Sequence, residues 1–362
     1  MIDEEFQVIE EKVLHGERLN FEDGLALFRC KNLAGIGALA DYVRKKICGD
    51  NVYYNVNCHV NLTNICSARC KFCAFGRDEN SAGAYTMTVD EIISLVKSAM
   101  NTKNFGGLHV VSGLHPTWKF ENYLEILRTI HEKFPALYIK GFTGVEITHF
   151  AKISGLSVAE ILIELKAAGL QAIAGGGAEI LSDRVRMLLC PKKATADEWL
   201  NVAWAAHKLG IKTNASMLYG HIETIEERVE HLIKLRELQD ETGGFQTFIP
   251  FPFLPKNTAL ENKITQTSMW DDLRTIAISR LMLDNFKHIK AYWVMLTVPV
   301  AQVALNFGAN DIDGTIHREN ILHEAGASSP KFLTEENIVK LIREVGRVPA
   351  LCDCNYNILS AD

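Results

Sequence analysis

From about residue 53 to residue 310 the chain alternates two hydrophobic patterns. Short apolar runs rich in β-branched residues predict strands over residues 53–63, 108–112, 137–142, 171–175, 212–217, 245–250 and 288–295. Most are apolar throughout, which marks strands buried on both faces of a parallel sheet. Between them the apolar residues recur with helical period. Four Ser/Thr-x-x-Glu capping boxes open those segments, at Thr88/Glu91, Ser157/Glu160, Thr195/Glu198 and Thr224/Glu227. Repeated βα units without a long low-complexity linker predict an α/β fold, a (β/α) barrel of TIM type. An open doubly wound sheet is the alternative. No GxGxxG follows the first strand, and the Gly175–Gly177 run follows a late one, so a dinucleotide site has little support. Residues 1–50 read as a helical lead-in, 51–315 as the barrel, and 316–362 as an extension packed on it. A helix over 335–345 is expected to close the chain.

The composition is that of an ordinary globular protein: 362 residues, 48% hydrophobic and 23% charged. A net charge of −6 argues against nucleic-acid or membrane-surface partners. The most apolar stretch, residues 292–305, is short for a membrane span and is interrupted by Pro299 and Gln302. The opening MIDEEFQ lacks the basic and apolar regions of a signal peptide. A cytoplasmic protein keeps its thiols reduced, and an odd count of nine cysteines then suggests metal rather than disulfides.

Three of those cysteines, Cys66, Cys70 and Cys73, stand in the stretch NICSARCKFCAFG directly after the first predicted strand. That is the C-terminal mouth of a barrel, where active sites sit. Buried cysteines acting as small hydrophobes would explain them. Structural zinc would need a fourth ligand, Cys58 or His59, and only one of these strand neighbours could join. A [4Fe–4S] cluster held by three thiolates would leave one iron open. The C-x3-C-x2-C spacing, with Phe72 before the last cysteine, resembles the radical S-adenosylmethionine (SAM) superfamily. In that superfamily the open iron chelates the methionine end of SAM, and reduction yields a 5′-deoxyadenosyl radical.

Further segments resemble the aminofutalosine synthase family of menaquinone biosynthesis. They are CAFGRDEN from Cys73, GAYTM from Gly83, SGLHP from Ser112, FTGVEITHF from Phe142, GGGAEI from Gly175, NASMLYGHIET from Asn214 and QDETGGFQ from Gln239. The closing GANDIDGT from Gly308 and HEAGA from His323 are shared more widely, with the cyclic dehypoxanthinylfutalosine synthases and the deazaflavin-cofactor synthases. The segment FIPFPFLP from Phe248 carries Phe-Pro where the aminofutalosine pattern has Leu-Ala, which leans toward the cyclising relative. The resemblance implies addition of the adenosyl radical to 3-[(1-carboxyvinyl)oxy]benzoate, a chorismate-derived enol ether. Rearrangement and loss of a carboxylate would give 6-amino-6-deoxyfutalosine and methionine. It implies a [4Fe–4S] cluster, SAM as co-substrate, and an electron donor such as flavodoxin or ferredoxin.

The same resemblance assigns roles. Cys66, Cys70 and Cys73 would ligate the cluster. Phe72 would pack on the adenine, or simply in the core. Ser112 and Gly113 would touch the methionine end of SAM, glycine allowing close backbone approach. Glu179, and behind it Glu146, would accept the ribose hydroxyls, although Glu146 also reads as a helix-start charge. Arg184 or Arg186 would hold the SAM carboxylate, and Tyr219 is a further cofactor contact. His115 and His221 are the candidate catalytic histidines. Arg77, Asn214, Gln246 and Asn306 are candidates for the substrate, with Ser216 on the face of Asn214 and Asp311 as another closing-loop polar group. Cys352 and Cys354 miss C-x-x-C spacing, and Cys30, Cys48, Cys58 and Cys190 read as isolated thiols.

Overall fold

All four capping boxes form in the computed structural model, which describes residues 4–361. In each, the Ser or Thr hydroxyl accepts the backbone N–H of the glutamate three residues on, and that carboxylate accepts the cap's own N–H. Each cap contributes about 1 kcal/mol. A fifth, at Thr143/Glu146, opens helix Gly144–Ser154.

The helices so started return the chain between parallel strands. These are β1 (Asn51–Asn61), β2 (Phe105–Val111), β3 (Ile139–Thr143), β4 (Ala172–Ala174), β5 (Lys212–Tyr219), β6 (Phe245–Pro252), β7 (His288–Ile289) and β8 (Asp311–Gly314). β1 to β7 lie side by side in chain order, and β8 pairs with β1. The ring comes round on itself because Lys290, just past β7, bridges Asp311 of β8. The buried Arg280 guanidinium stitches that seam, donating to Gly308 O, Phe286 O and Asn310 Oδ1. Asn310 Oδ1 also accepts Ile289 N–H at 2.9 Å. The fold is the expected (β/α) barrel.

Three expectations need correction. The run 288–295 is a strand only over two residues, because Trp293–Leu296 turns into a helix; a short apolar run does not distinguish the two. β8, a strand absent from the expected set, has the sequence DIDG: Ile312 alone is apolar and packs in the core, while its two acids are matched by Lys290 across the seam. The helix Glu335–Glu344 does not close the chain: β9 (Val348–Cys352) and β10 (Ile358–Ala361) follow it. β9 runs parallel to β1 over Asn51–Tyr54, and β10 runs antiparallel to β9. The segment between them lies beneath the barrel. There Tyr356 stacks on His288 with ring centroids 3.9 Å apart, and Cys354 Sγ donates to Gly106 O. Helices Glu4–His15, Phe21–Arg29 and Leu33–Cys48 form the lead-in, the third lying on helix Met269–Met282.

The β1–β8 contact is close enough to test. A Cβ on Gly314 would stand 2.1 Å from the Asn55 carbonyl oxygen, a backbone atom that cannot step aside. Gly314→Ala is expected to lower unfolding stability by about 1–3 kcal/mol in denaturant titration, the range for an overpacked interior.

Candidate active site

The loop between β1 and helix Val89–Met100 is tied to itself by polar contacts. Thr63 Oγ1 donates to Tyr85 O, Asn64 pairs with Tyr85 N and Gly83 O, and Cys66 N–H donates to Arg77 O. The loop thereby sets Cys66, Cys70 and Cys73 on the wall of a cavity of about 600 Å³ that runs from the C-terminal ends of the strands into the barrel. Leu114 N–H donates to Cys66 Sγ at 3.3 Å and Gly76 N–H to Cys73 Sγ at 3.4 Å. Among the described residues no three His, Cys, Asp or Glu side chains converge as a single ion requires. Cys58 is packed in the layer outside the strands and His59 faces the interior. A [4Fe–4S] cluster asks instead for thiolates set apart on separate irons, with amide donors to sulfur, and the three cysteines fit it. Cys190 is not isolated: the Cys70 thiol donates to it, and this contact together with burial raises Cys70 well above an ordinary thiol.

Next to the cysteines, Glu146 secures the turn after β2. Its Oε1 accepts Ser112 N–H and its Oε2 accepts Thr143 N–H, both at 2.8 Å. Burial pushes the Glu146 carboxyl up to about 8, against those hydrogen bonds. Gly113 packs on the cysteine loop so tightly that a Cβ would meet Ile65 O at 2.5 Å. Across the cavity Glu179 sits in the left-handed region, with φ of 48°. Its Oε1 accepts Lys193 Nζ at 2.6 Å, and the same ammonium lies 5.1 Å from the Phe72 ring centroid. Asn214 and Ser216 also line the cavity; Ser216 Oγ donates to Gly175 O, and Asn214 Oδ1 has no partner among the described residues.

Other sequence candidates are not brought there. Arg184 is drawn outward by Glu227 at 2.6 Å, and Arg186 donates to the Ala178 and Ala194 carbonyls. His115 stacks on Trp118, and His221 is packed beside Glu223 at 2.8 Å. Tyr219 donates to Asp272 at 2.8 Å, on the far side of β5 from Ser216 and Asn214. Gln246 lies at the start of β6, where it donates to Cys354 O, and Asn306 accepts from Arg347. Asp311 accepts from Tyr356 in the β7–β8 seam. Arg77 clasps Glu324 at 2.8 Å, tying the cysteine loop to the segment after β8.

The interior brings His59, weighed from the sequence only as a zinc ligand, together with two residues that the sequence left unmarked, His109 and Lys140. His59, His109 and Lys140 stand at matching register on β1, β2 and β3, and all three line the cavity. The imidazoles stack 4.9 Å apart, and burial lowers both below the ordinary histidine value. Lys193 was equally unremarked. The available signal was a cationic or imidazole residue inside an apolar strand run, as in YIKGFT and LHVV.

The closeness of Gly113 to the cysteine loop gives a test. Gly113→Ala is expected to strain that contact by about 1–3 kcal/mol. Iron retained per chain after anaerobic reconstitution should fall, while far-ultraviolet circular dichroism stays unchanged.

Residues 60–235 match the radical SAM superfamily, and residues 242–361 match the CofH/MqnC C-terminal region. The aminodeoxyfutalosine synthase of Thermus thermophilus is 45% identical over 96% of this chain and 94% of its own length. That of Streptomyces coelicolor is 43% identical over 97% and 93%. A 5-amino-6-(D-ribitylamino)uracil–L-tyrosine 4-hydroxyphenyl transferase of Archaeoglobus fulgidus is 41% identical over 89% and 92%. Among solved structures, methylornithine synthase superposes with a TM-score of 0.75 over 94% of this chain and 97% of that one, at 19% identity, which speaks to the fold alone. The thiol-lined barrel mouth and the full-length likeness agree: this chain is a radical SAM enzyme of the aminodeoxyfutalosine synthase family.

Proposed function

We propose that the protein breaks the S–C5′ bond of SAM, releasing methionine, and joins the adenosyl group to 3-[(1-carboxyvinyl)oxy]benzoate, forming 6-amino-6-deoxyfutalosine with loss of a carboxylate. The observation that carries this reading is the likeness to aminodeoxyfutalosine synthases along nearly their whole length. The [4Fe–4S] cluster, with SAM bound, supplies a 5′-deoxyadenosyl radical. Cys66, Cys70 and Cys73 hold the cluster at the cavity mouth. The Ser112–Gly113 turn, pinned by Glu146, receives the methionine end of SAM. Glu179 accepts the ribose hydroxyls through the oxygen that Lys193 leaves free, and Phe72 packs on the adenine.

A primary carbon radical takes hydrogen from whatever lies near, so the chain must exclude water. Ile249, Phe251 and Phe253, at and beyond the end of β6, and Tyr292 and Met295 beyond β7 supply an apolar wall. The Glu319–Ala325 segment forms the side of the mouth that Arg77 clasps. The electron comes from a small one-electron carrier of the flavodoxin or ferredoxin type, in the cytoplasm. No helix among the described residues is long and apolar enough to cross a membrane.

The test is anaerobic incubation of the reduced holoenzyme with SAM and the enol ether. The expected product carries both adenine and benzoate by mass spectrometry. Release of 5′-deoxyadenosine without that adduct would assign hydrogen abstraction, as in the cyclising relative. Condensation of tyrosine with 5-amino-6-(D-ribitylamino)uracil would place the chain with the archaeal transferases instead. Cys70→Ala is expected to abolish SAM cleavage and leave helix content intact, because the cysteine sits on the mouth loop rather than in a strand.

A further inference from the structure

The deep end of the cavity is built for an anion that the protein itself does not provide. Three cavity-lining lysines lie within the barrel wall or its buried loops. Lys193 is held by Glu179, and Lys290 is held by Asp313 with Asp311 at 3.4 Å. Lys140 forms no hydrogen bond or ion pair with a carboxylate among the described residues, although only 4% of it is exposed. Next to it in register are His109 and then His59, each with a buried Nε2 that has no partner among the described residues. Asn214 Oδ1 is likewise unpartnered. Burial lowers Lys140 below an ordinary lysine, and the carboxylates that oppose this, Asp313 and Asp311, are already paired with Lys290; burying an amine with no direct partner costs several kcal/mol, and orphaned buried polar atoms add to that cost. A fold that keeps both, on rigid strands and facing a cavity, is arranged for a ligand.

We infer that the Lys140, His109 and His59 row on β1–β3 is the seat of the aromatic carboxylate of the substrate. The inference rests on the function proposed above and specifies how that site recognises its substrate. The partners select a monoanion: one lysine without a direct carboxylate partner beside two imidazoles, next to the acid-rich Lys290–Asp313–Asp311 group, can match one carboxylate and would leave a phosphate undercompensated. Depth selects which carboxylate. His109 lies three residues before Ser112, so the row sits about 10 Å below the strand ends where SAM is received, at about 3.3 Å per residue. The alkene must lie beside the 5′ carbon of SAM, which keeps its own carboxylate near the mouth. The ring carboxylate, at the far end of the molecule, reaches the floor.

The experiment uses reconstituted holoenzyme with SAM, unreduced, and two probes: 3-[(1-carboxyvinyl)oxy]benzoate and 2-phenoxyacrylate, which lacks the ring carboxylate. Wild type is expected to bind the benzoate about 10- to 100-fold more tightly, the range for charge-assisted hydrogen bonds. Lys140→Met should erase that preference, leave 2-phenoxyacrylate affinity unchanged, and keep or raise the melting temperature, since it removes a buried amine that has no hydrogen-bond or ion-pair partner among the described residues. A variant that keeps the preference, weakens both probes alike, or melts lower than wild type overturns the seat. Turnover of the enol ether by wild type distinguishes the two failures. With turnover intact, only the seat falls. If wild type neither binds nor converts the enol ether, the function falls and the seat with it.

Discussion

Strand β1 has more neighbours than a strand has edges, and the molecule is organised around how it shares them. At Tyr53 one edge faces Asp311 of β8 and the other faces Ala350 of β9. From Val56 onward the second edge passes to β2. Backbone N–H and C=O groups buried in a barrel wall must all find partners, so β1 is satisfied only when a late strand and a terminal one are both in place. The cysteine loop hangs directly from its end. The position of the thiols is therefore set by pairing across the whole chain, not by the loop alone.

Within that frame, single side chains carry two duties. Glu146 closes a capping box with one oxygen and holds the Ser112 amide with the other. The start of a helix and the turn facing the cofactor are thus fixed by one carboxylate. Lys193 links Glu179 to the face of Phe72. Glu179 is also held in a left-handed conformation, which costs a non-glycine residue about 1–3 kcal/mol and persists where surroundings over-determine it. Its main-chain oxygen accepts Leu218 N–H at 2.7 Å, which helps to pin it.

The sequence was readable where a local rule has one outcome. Ser/Thr-x-x-Glu at a helical onset forms a cap, and each one did. Runs such as QTFIPF and TNASML form strands as their length and their place between helical segments and turns suggested. The cysteine spacing named its chemistry for the same reason. Reading failed where a partner distant in sequence decides. Arg184 looks free until Glu227, on another helix, takes it. The DIDG stretch looks like a loop until Lys290 crosses the seam to it. Lys140 drew no notice in the sequence, because its neighbours His109 and His59 stand 31 and 81 residues earlier and only register unites them.

The tail beneath the barrel has a consequence for how the protein is made. Residues 348–361 supply the strand beside the foot of β1 and the tyrosine that stacks against β7. During synthesis they are the last of the described residues to leave the ribosome, long after the cysteine loop. Until then the foot of β1 lacks one of its two edge partners, so the strand that carries the cysteine loop is complete only once the most C-terminal of the described residues have been made.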